Sequence, residues 1–421
     1  MLKWIRHPKL LFSIALIWIV LSLQACSLQE INRQSNALAS TGIINGEVVV
    51  QGDVNGPIYV QLYVRENGVT TLIDKNTVQP NGRYLFAVLP GTYSVATFID
   101  GDDSNILGKT NGEYLVGDWV TYYGQDQGEP AFIVIDENEE VEVPRLIIKG
   151  PITLRPNIDV MKQLGKNIEN IGRVVSLDDR MFGRDFASVG LWRPLDFIDQ
   201  VGGGLLMLQE YDKDKIPLLF VHGMGGTSAE FTEIVSHIDQ QKYQPWVLYY
   251  PSGVNLDLVS DYMLEALQQL SHQYQFKQLG IIAHSMGGLM IRSYVMKQQQ
   301  SATPYDLQFV VTINSPLYGM ESAANGVKNS PVVIQSWIDV ARGSAYVKRV
   351  HRWAWPDSIP YHLMFSYLPG EDGDGVVPLN SQLSASLQRE ATQIHGFEAQ
   401  HAGILKEAVF LDKLNEILNA F

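Results

Sequence analysis

The sequence predicts a two-part chain, in which a small all-β sandwich precedes an α/β domain whose mostly parallel sheet is flanked by helices. Three observations predict it. From Gly42 to about Gly150, short runs rich in β-branched and aromatic residues alternate with turn residues. From Ile216 onward, apolar strand-like runs alternate with stretches of helical spacing, the order that a parallel sheet requires. Two of those runs end in glycine-rich turns, Val221-His222-Gly223-Met224-Gly225-Gly226 and Ala283-His284-Ser285-Met286-Gly287-Gly288. With 421 residues, 46% of them hydrophobic, the chain is long enough for two cores.

Residues 1–26 read as an export segment. Lys3, Arg6 and Lys9 precede an apolar run from Leu10 to Leu23, which is short for a membrane-spanning helix of about 20 residues. The run ends in Leu23-Gln24-Ala25-Cys26, at the only cysteine. This end resembles a bacterial lipobox. The resemblance implies that Cys26 is lipidated and becomes the first residue of the mature protein, and that Ser27 beside it directs the protein to the outer membrane of a Gram-negative cell. Several acyl chains anchor stably where one binds only marginally. The other reading is an ordinary cleaved signal beside a core cysteine. A single cysteine allows no intramolecular disulfide.

Residues 27–41 are polar without clear periodicity and read as a flexible tether. In the sandwich, 42–150, strands are expected at Gly46–Val50, Ile58–Val64, Tyr84–Leu89, Tyr93–Ile99 and Phe132–Ile135. The run Gly82-Arg83-Tyr84-Leu85-Phe86, followed by Leu89-Pro90-Gly91-Thr92-Tyr93-Ser94-Val95, resembles the carboxypeptidase-regulatory-like or prealbumin-like sandwiches. Such a domain serves as a spacer or binds carbohydrate or a partner. Asp100-Gly101-Asp102-Asp103-Ser104-Asn105 opens like a calcium loop. Asn105 stands where such a loop needs glycine and Asn111 where it needs glutamate, so the segment reads as a turn. Residues 151–215 form a connector with an edge hairpin, in which Trp192 and Phe197 read as packing residues.

In the domain spanning 216–421, strands are expected near 216–221, 245–250, 279–284, 307–313, 359–367 and 392–397, and helices near 227–240, 257–275, 286–299 and 403–419. The stretch 319–359 is longer than a simple connection and is either a lid or an insertion. Val332, Val333, Ile334, Trp337 and Ile338 are apolar, and Trp353 and Trp355 lie beside Arg342, Lys348, Arg349 and Arg352. Tryptophan next to cations suits a membrane surface. The alternative is core tryptophans beside a solvated cationic face.

Ser285 ends an apolar strand and is wedged between small residues, as a nucleophile elbow requires; Ala283 stands where glycine is usual. The turn at Gly223-Met224 can aim backbone N–H groups at a developing oxyanion. These residues resemble the lipase-like serine esterases of the α/β-hydrolase superfamily, over roughly residues 190–421. The resemblance implies a nucleophile, then an acid, then a histidine in chain order. Asp374, in Asp374-Gly375-Val376-Val377-Pro378, is the expected acid, with Asp372 its rival. Of the four histidines after Ser285, His351 and His362 precede Asp374; His401 is the expected base, and His395 reads as a hydrogen-bonded core residue. His222 and His284 read as structural neighbours of the elbow. The resemblance further implies the amides of Met224 and Met286 as oxyanion donors.

The expected activity is that of a membrane-anchored serine hydrolase of carboxylic esters, lipid esters first (a lipase, phospholipase or esterase), with two rivals: an acyltransferase using the same triad, and a non-catalytic scaffold lipoprotein. Neither a cofactor nor a metal is expected, and the partners are an ester or lipid substrate and the membrane through Cys26. A formal charge of −14 argues against nucleic acid, which needs a basic surface.

Overall fold

The computed structural model describes residues 28–52, 58–66, 69–99, 119–124, 130–150, 171–301 and 303–421. The export segment with Cys26, the turn from Asp100 to Asn111 and residues 151–170 lie outside the described residues.

Residues 28–39, expected as a flexible tether, are helical (α1). The correction has a clear cause, because the inward side of α1 is held by polar bonds. Gln34 is 0% exposed; its Nε2 donates to Glu30 Oε1 and to Asp196 Oδ1, each at 2.7 Å, and its Oε1 accepts from Leu195 N at 3.1 Å. Ser35 Oγ donates to the carbonyl of Val333. A buried polar side chain is tolerated when its hydrogen bonds are made.

The sandwich follows as β1 (Gly42–Val50), β2 (Ile58–Glu66), β3 (Val69–Val78), β4 (Arg83–Val88), β5 (Gly91–Ile99), β6 (Trp119–Tyr122), β7 (Ile133–Ile135) and β8 (Glu140–Ile148). One sheet has the order β4-β1-β8 and the other β3-β2-β5-β6, with β7 paired to β5. In β4, Tyr84, Phe86 and Val88 are buried at every second position, as a strand with one wet face requires. They meet Ile44, Val48, Val60, Val95 and Ile148 in the sandwich core. β3 rests on the α/β domain, where Asn76 Nδ2 donates to Glu265 Oε2 at 3.2 Å.

Among its described residues the connector holds a short 3-10 turn (Arg180–Phe182), α2 (Arg184–Trp192), α3 (Pro194–Gln200) and one edge strand, β9 (Gly204–Met207). Phe197 is buried, whereas Trp192 is 37% exposed and meets Trp337 edge-on with centroids 5.7 Å apart.

Next come β10 (Ile216–Val221), α4 (Thr232–His237), β11 (Tyr243–Tyr249), α5 (Leu256–Tyr274), β12 (Gln278–His284), α6 (Met286–Gln300), β13 (Asp306–Ile313), α7 (Glu321–Asn329), α8 (Gln335–Val340), α9 (Ala345–Arg352), β14 (Tyr361–Tyr367), α10 (Leu379–Gln382), α11 (Ala385–Glu390), β15 (Gln393–Glu398) and α12 (Ala408–Asn419). The sheet runs β15-β14-β13-β12-β10-β11-β9, parallel throughout except for β9. Its two faces form two cores. Leu219, Val221, Ile281 and Ala283 pack with Met263 of α5 and Leu289 of α6, whereas Leu218, Phe220 and Ile282 pack with Ile234 of α4 and Leu414 and Leu418 of α12. Alternate residues of one strand thus serve opposite helical layers, which is why the strands read as continuous apolar runs.

The 319–359 stretch is folded and carries α7, α8 and α9. Trp355 is buried, stacked on Tyr361 at 4.6 Å and donating from Nε1 to Ile359 O at 2.8 Å, so it is core and not interfacial. Trp353 packs beside it at 5.9 Å. The cations are partly engaged: Arg349 pairs with Asp257, and Arg342 lies 3.4 Å from Glu321. α7 buries no side chain, while Tyr346, Val347 and Val350 fasten α9 to the core.

Asp339 ties α8 to α5 by accepting the Leu256 N–H at 2.7 Å. Burial, opposed by that bond and reinforced by the nearby charge of Asp257, pushes its pKa up from 3.8 to about 7. A carboxyl whose pKa is raised by folding holds its proton better in the folded state, so its contribution is complete below 3.8 and is lost as pH rises through about 7. Asp339→Asn keeps an acceptor for Leu256 without that titration. Thermal melts of both proteins at about pH 5 and about pH 8 should show wild type losing stability relative to the variant at the higher pH; a constant difference in Tm contradicts the coupling.

Candidate active site

Every residue expected at the site follows the C-terminal end of a parallel strand, where open α/β sheets place their ligands. Ser285 joins β12 directly to α6 with φ 54° and ψ −129°. A non-glycine residue at positive φ costs on the order of 1–3 kcal/mol and persists only where its surroundings impose it. Here the surroundings do. The Ser285 N–H donates to Ile313 O at 2.8 Å, and the next turn of chain lies against β10 so closely that a Cβ on Gly287 would stand 2.7 Å from the carbonyl oxygens of both Val221 and His222. On the opposite side, a Cβ on Gly223 would stand 2.6 Å from Ser285 Cβ. Ala283 is fully buried and fits where glycine is usual.

His401 lies beyond β15, with Nε2 2.9 Å from Ser285 Oγ and Nδ1 2.7 Å from Asp374 Oδ2. Asp374 is 1% exposed. Its other oxygen accepts the N–H groups of Val376 at 2.8 Å and Val377 at 2.7 Å, so the carboxylate is fully bonded without solvent. Asp372 is exposed and takes no part. His395 departs from its expected place in the core: β15 is an edge strand, and the side chain is half-buried with Nε2 3.2 Å from Gln393 Oε1.

Three residues not singled out from the sequence as site residues, Asn314, His284 and Glu230, hold His401. Asn314 Nδ2 donates to His401 O at 2.9 Å and to Ser366 Oγ at 2.7 Å. His284 Nε2 also donates to His401 O, at 3.2 Å, while its Nδ1 donates to Glu230 Oε1 at 2.9 Å. Both ring nitrogens of His284 are therefore donors. Burial pulls its pKa down, but the Glu230 carboxylate and these bonds bring it above the ordinary value. His222 has the opposite balance: burial pulls its pKa below the ordinary value, and its ring stacks on Tyr250 at 4.4 Å. Asn314 carried one sequence signal, a polar residue ending an apolar strand; its φ is 49°.

Met286 is the first residue of α6, and its N–H has no intrahelical acceptor. In the facing turn, Gly225 N donates to Ser252 Oγ at 2.9 Å and Gly226 N to Gly223 O at 3.1 Å; among the described residues nothing accepts from Met224 N. Two spare amides thus flank Ser285. The arrangement can activate a hydroxyl, hold an imidazolium and stabilise an adjacent oxyanion. No group of three or more His, Cys, Asp or Glu side chains suited to a metal occurs among the described residues.

Residues 252–416 match a family described as "Alpha/beta hydrolase of unknown function (DUF915)". No curated protein matches the sequence. Among solved structures, the chain is similar to the product of gene lin2722 from Listeria innocua, with 16% identity, TM-score 0.40, and coverage of 49% of this chain and 95% of that one. It is also similar to the mature Bacillus licheniformis lipase BlEst2, with 15% identity, TM-score 0.41, and coverage of 50% and 94%. For Aspergillus fumigatus lipase B the figures are 16%, 0.38, and 49% and 52%. The domain spanning 216–421 has the α/β-hydrolase fold.

Because Glu230 and His284 act on His401 through its backbone, Glu230→Gln should loosen the base without removing it. The expected result is a loss in kcat on the order of 10- to 100-fold with KM little changed, as for a small misplacement of a reacting group. An unchanged kcat in a folded Glu230→Gln protein contradicts this positioning.

Proposed function

We propose that the chain is a serine hydrolase of carboxylic esters, acting on lipid esters at the membrane to which Cys26 anchors it. The observation that carries the reading is the unbroken relay from buried Asp374 through His401 to Ser285, with 2.7 and 2.9 Å contacts ending at a strained elbow. In the first half-reaction His401 Nε2 takes the Ser285 Oγ proton as Oγ bonds to the ester carbonyl carbon. The carbonyl oxygen becomes an oxyanion and receives the N–H groups of Met224 and Met286. Loss of one such donor typically costs about 100- to 1000-fold in rate. Collapse breaks the ester C–O bond, and His401 returns the proton to the departing alcohol. Water then enters, gives its proton to His401 and releases the acid, restoring Ser285. Asp374 holds the imidazole tautomer and stabilises the imidazolium throughout.

The anchoring half of the proposal rests on the lipobox-like end at Cys26 and on Ser27 beside it, which together favour the outer membrane of a Gram-negative cell. Replacing Cys26 with Ser should leave an unprocessed precursor or release the protein from membranes, as read by fractionation. Processing and outer-membrane recovery equal to wild type would overturn the anchor.

For the chemistry, the purified protein and Ser285→Ala are compared on a panel of acyl esters with products identified. Wild type should release free acid, and the variant should lose nearly all of that activity with its fold intact. Transfer of the acyl group to an added alcohol in preference to water would make the protein an acyltransferase; equal activity in the variant would sink the mechanism.

A further inference from the structure

The docked α1 has a consequence for how the site meets its substrate. A flexible 15-residue tether would leave roughly 20 Å of slack between anchor and enzyme. α1 removes it. The apolar run Leu10–Leu23 and Cys26 lie only a few residues before α1, whose first turn brings Glu30 to the positive charge of Arg193. One turn later Gln34 is bonded to Leu195 and Asp196, and Ser35 to Val333; Gln335 Nε2 reaches back to Ser35 O at 3.2 Å.

Those contacts land at the edge of the catalytic site. Leu191, beside Trp192, lies against Gly225 of the oxyanion turn, where an added Cβ would touch its Cδ2 at 3.6 Å. The Leu191 carbonyl also presses on Gly253, whose own carbonyl accepts from Ser336 N at 3.3 Å. α2 and α8 therefore meet beside the turn that follows β10, where Trp192, Trp337 and Ile338 together leave an apolar patch. The Trp192–Trp337 pair is partly open there, and Ile338, next on α8, is 42% exposed. Paired tryptophans at a surface suit the headgroup region of a bilayer.

We infer that α1 is a fixed strut, holding the mouth of the site against the bilayer in which the chain's own N-terminus is embedded, with Trp192, Trp337 and Ile338 as the lipid-contacting rim. This rests on the ester-hydrolase reading and specifies its partner: a lipid ester drawn from the anchoring membrane. The rim is on α2 and α8.

The full-length protein is reconstituted into phosphatidylcholine–phosphatidylglycerol vesicles after labelling Ile338→Cys with an environment-sensitive dye. Val409→Cys, 73% exposed on α12, and Val134→Cys on the sandwich serve as aqueous controls, with labelled wild type reporting any reactivity of Cys26. A nitroxide lipid should quench the Ile338 probe at least about threefold more than either control, as expected for a side chain entering the interfacial layer. Gln34→Ala combined with Ser35→Ala should bring that quenching down toward the controls. A probe at Ile338 as accessible to aqueous iodide as that at Val409 overturns the proposal. So does a blue-shifted probe that the nitroxide lipid cannot reach, which would mean a second copy covers the face. Hydrolysis of a short soluble ester in the same vesicles reads the ester-hydrolase assignment separately. An active enzyme with a water-exposed Ile338 overturns the orientation alone, and a silent enzyme with a lipid-quenched Ile338 overturns the assignment alone.

Discussion

No side chain fits between the turn after β10 and the turn after β12, and that close backbone approach is what the site depends on. Gly223 faces Ser285 and Gly287 faces the carbonyls of Val221 and His222, all at distances that would drive an added Cβ into its neighbour. Two adjacent parallel strands thereby bring Ser285 and a spare amide of the facing turn together without any mobile side chain between them. The strain at Ser285 is sustained because β10 and β12 are packed on both faces by the helical layers. The sheet's two cores and the strained serine are one mechanical system.

The histidine is controlled differently. Its ring is fixed by Asp374 on one side and Ser285 on the other, but its backbone is fixed by Asn314 and His284, which come from the ends of β13 and β12. Elements separated by more than 80 residues in sequence converge on one carbonyl oxygen. In a buried setting such bonds are stronger than in water, and an unpaired partner would be costly. Glu230 completes the set by balancing the charge on His284. Ser285, His401 and Asp374 would still assemble without this outer set, but with a freer loop carrying His401.

What could be read from the sequence follows from how local each signal is. Ser285 and the turn at Met224 carry their demands in adjacent small residues, and chain order limits the acid and base to a few positions. Strands and helices of the α/β domain were legible because two-sided burial writes long apolar runs. Glu230 and Asn314 were not, since their importance arises only from contacts across the fold. The tether failed as an expectation for a related reason: Gln34 and Ser35 look like linker residues until Asp196 and Val333 are brought beside them. Trp355 and Trp337 likewise occur in similar local surroundings. Folding buries the first on Tyr361 and sets the second near the surface beside Trp192.

The central claim is that one serine is made nucleophilic by its surroundings, and adduct mapping with a fluorophosphonate tests it most directly. The protein is treated with the reagent at neutral pH, digested and read by mass spectrometry. A single phosphonyl adduct is expected on the peptide carrying Ser285, formed much more slowly after His401→Ala. An unmodified Ser285 peptide in folded protein, or an adduct on a different serine at comparable rate, would contradict it.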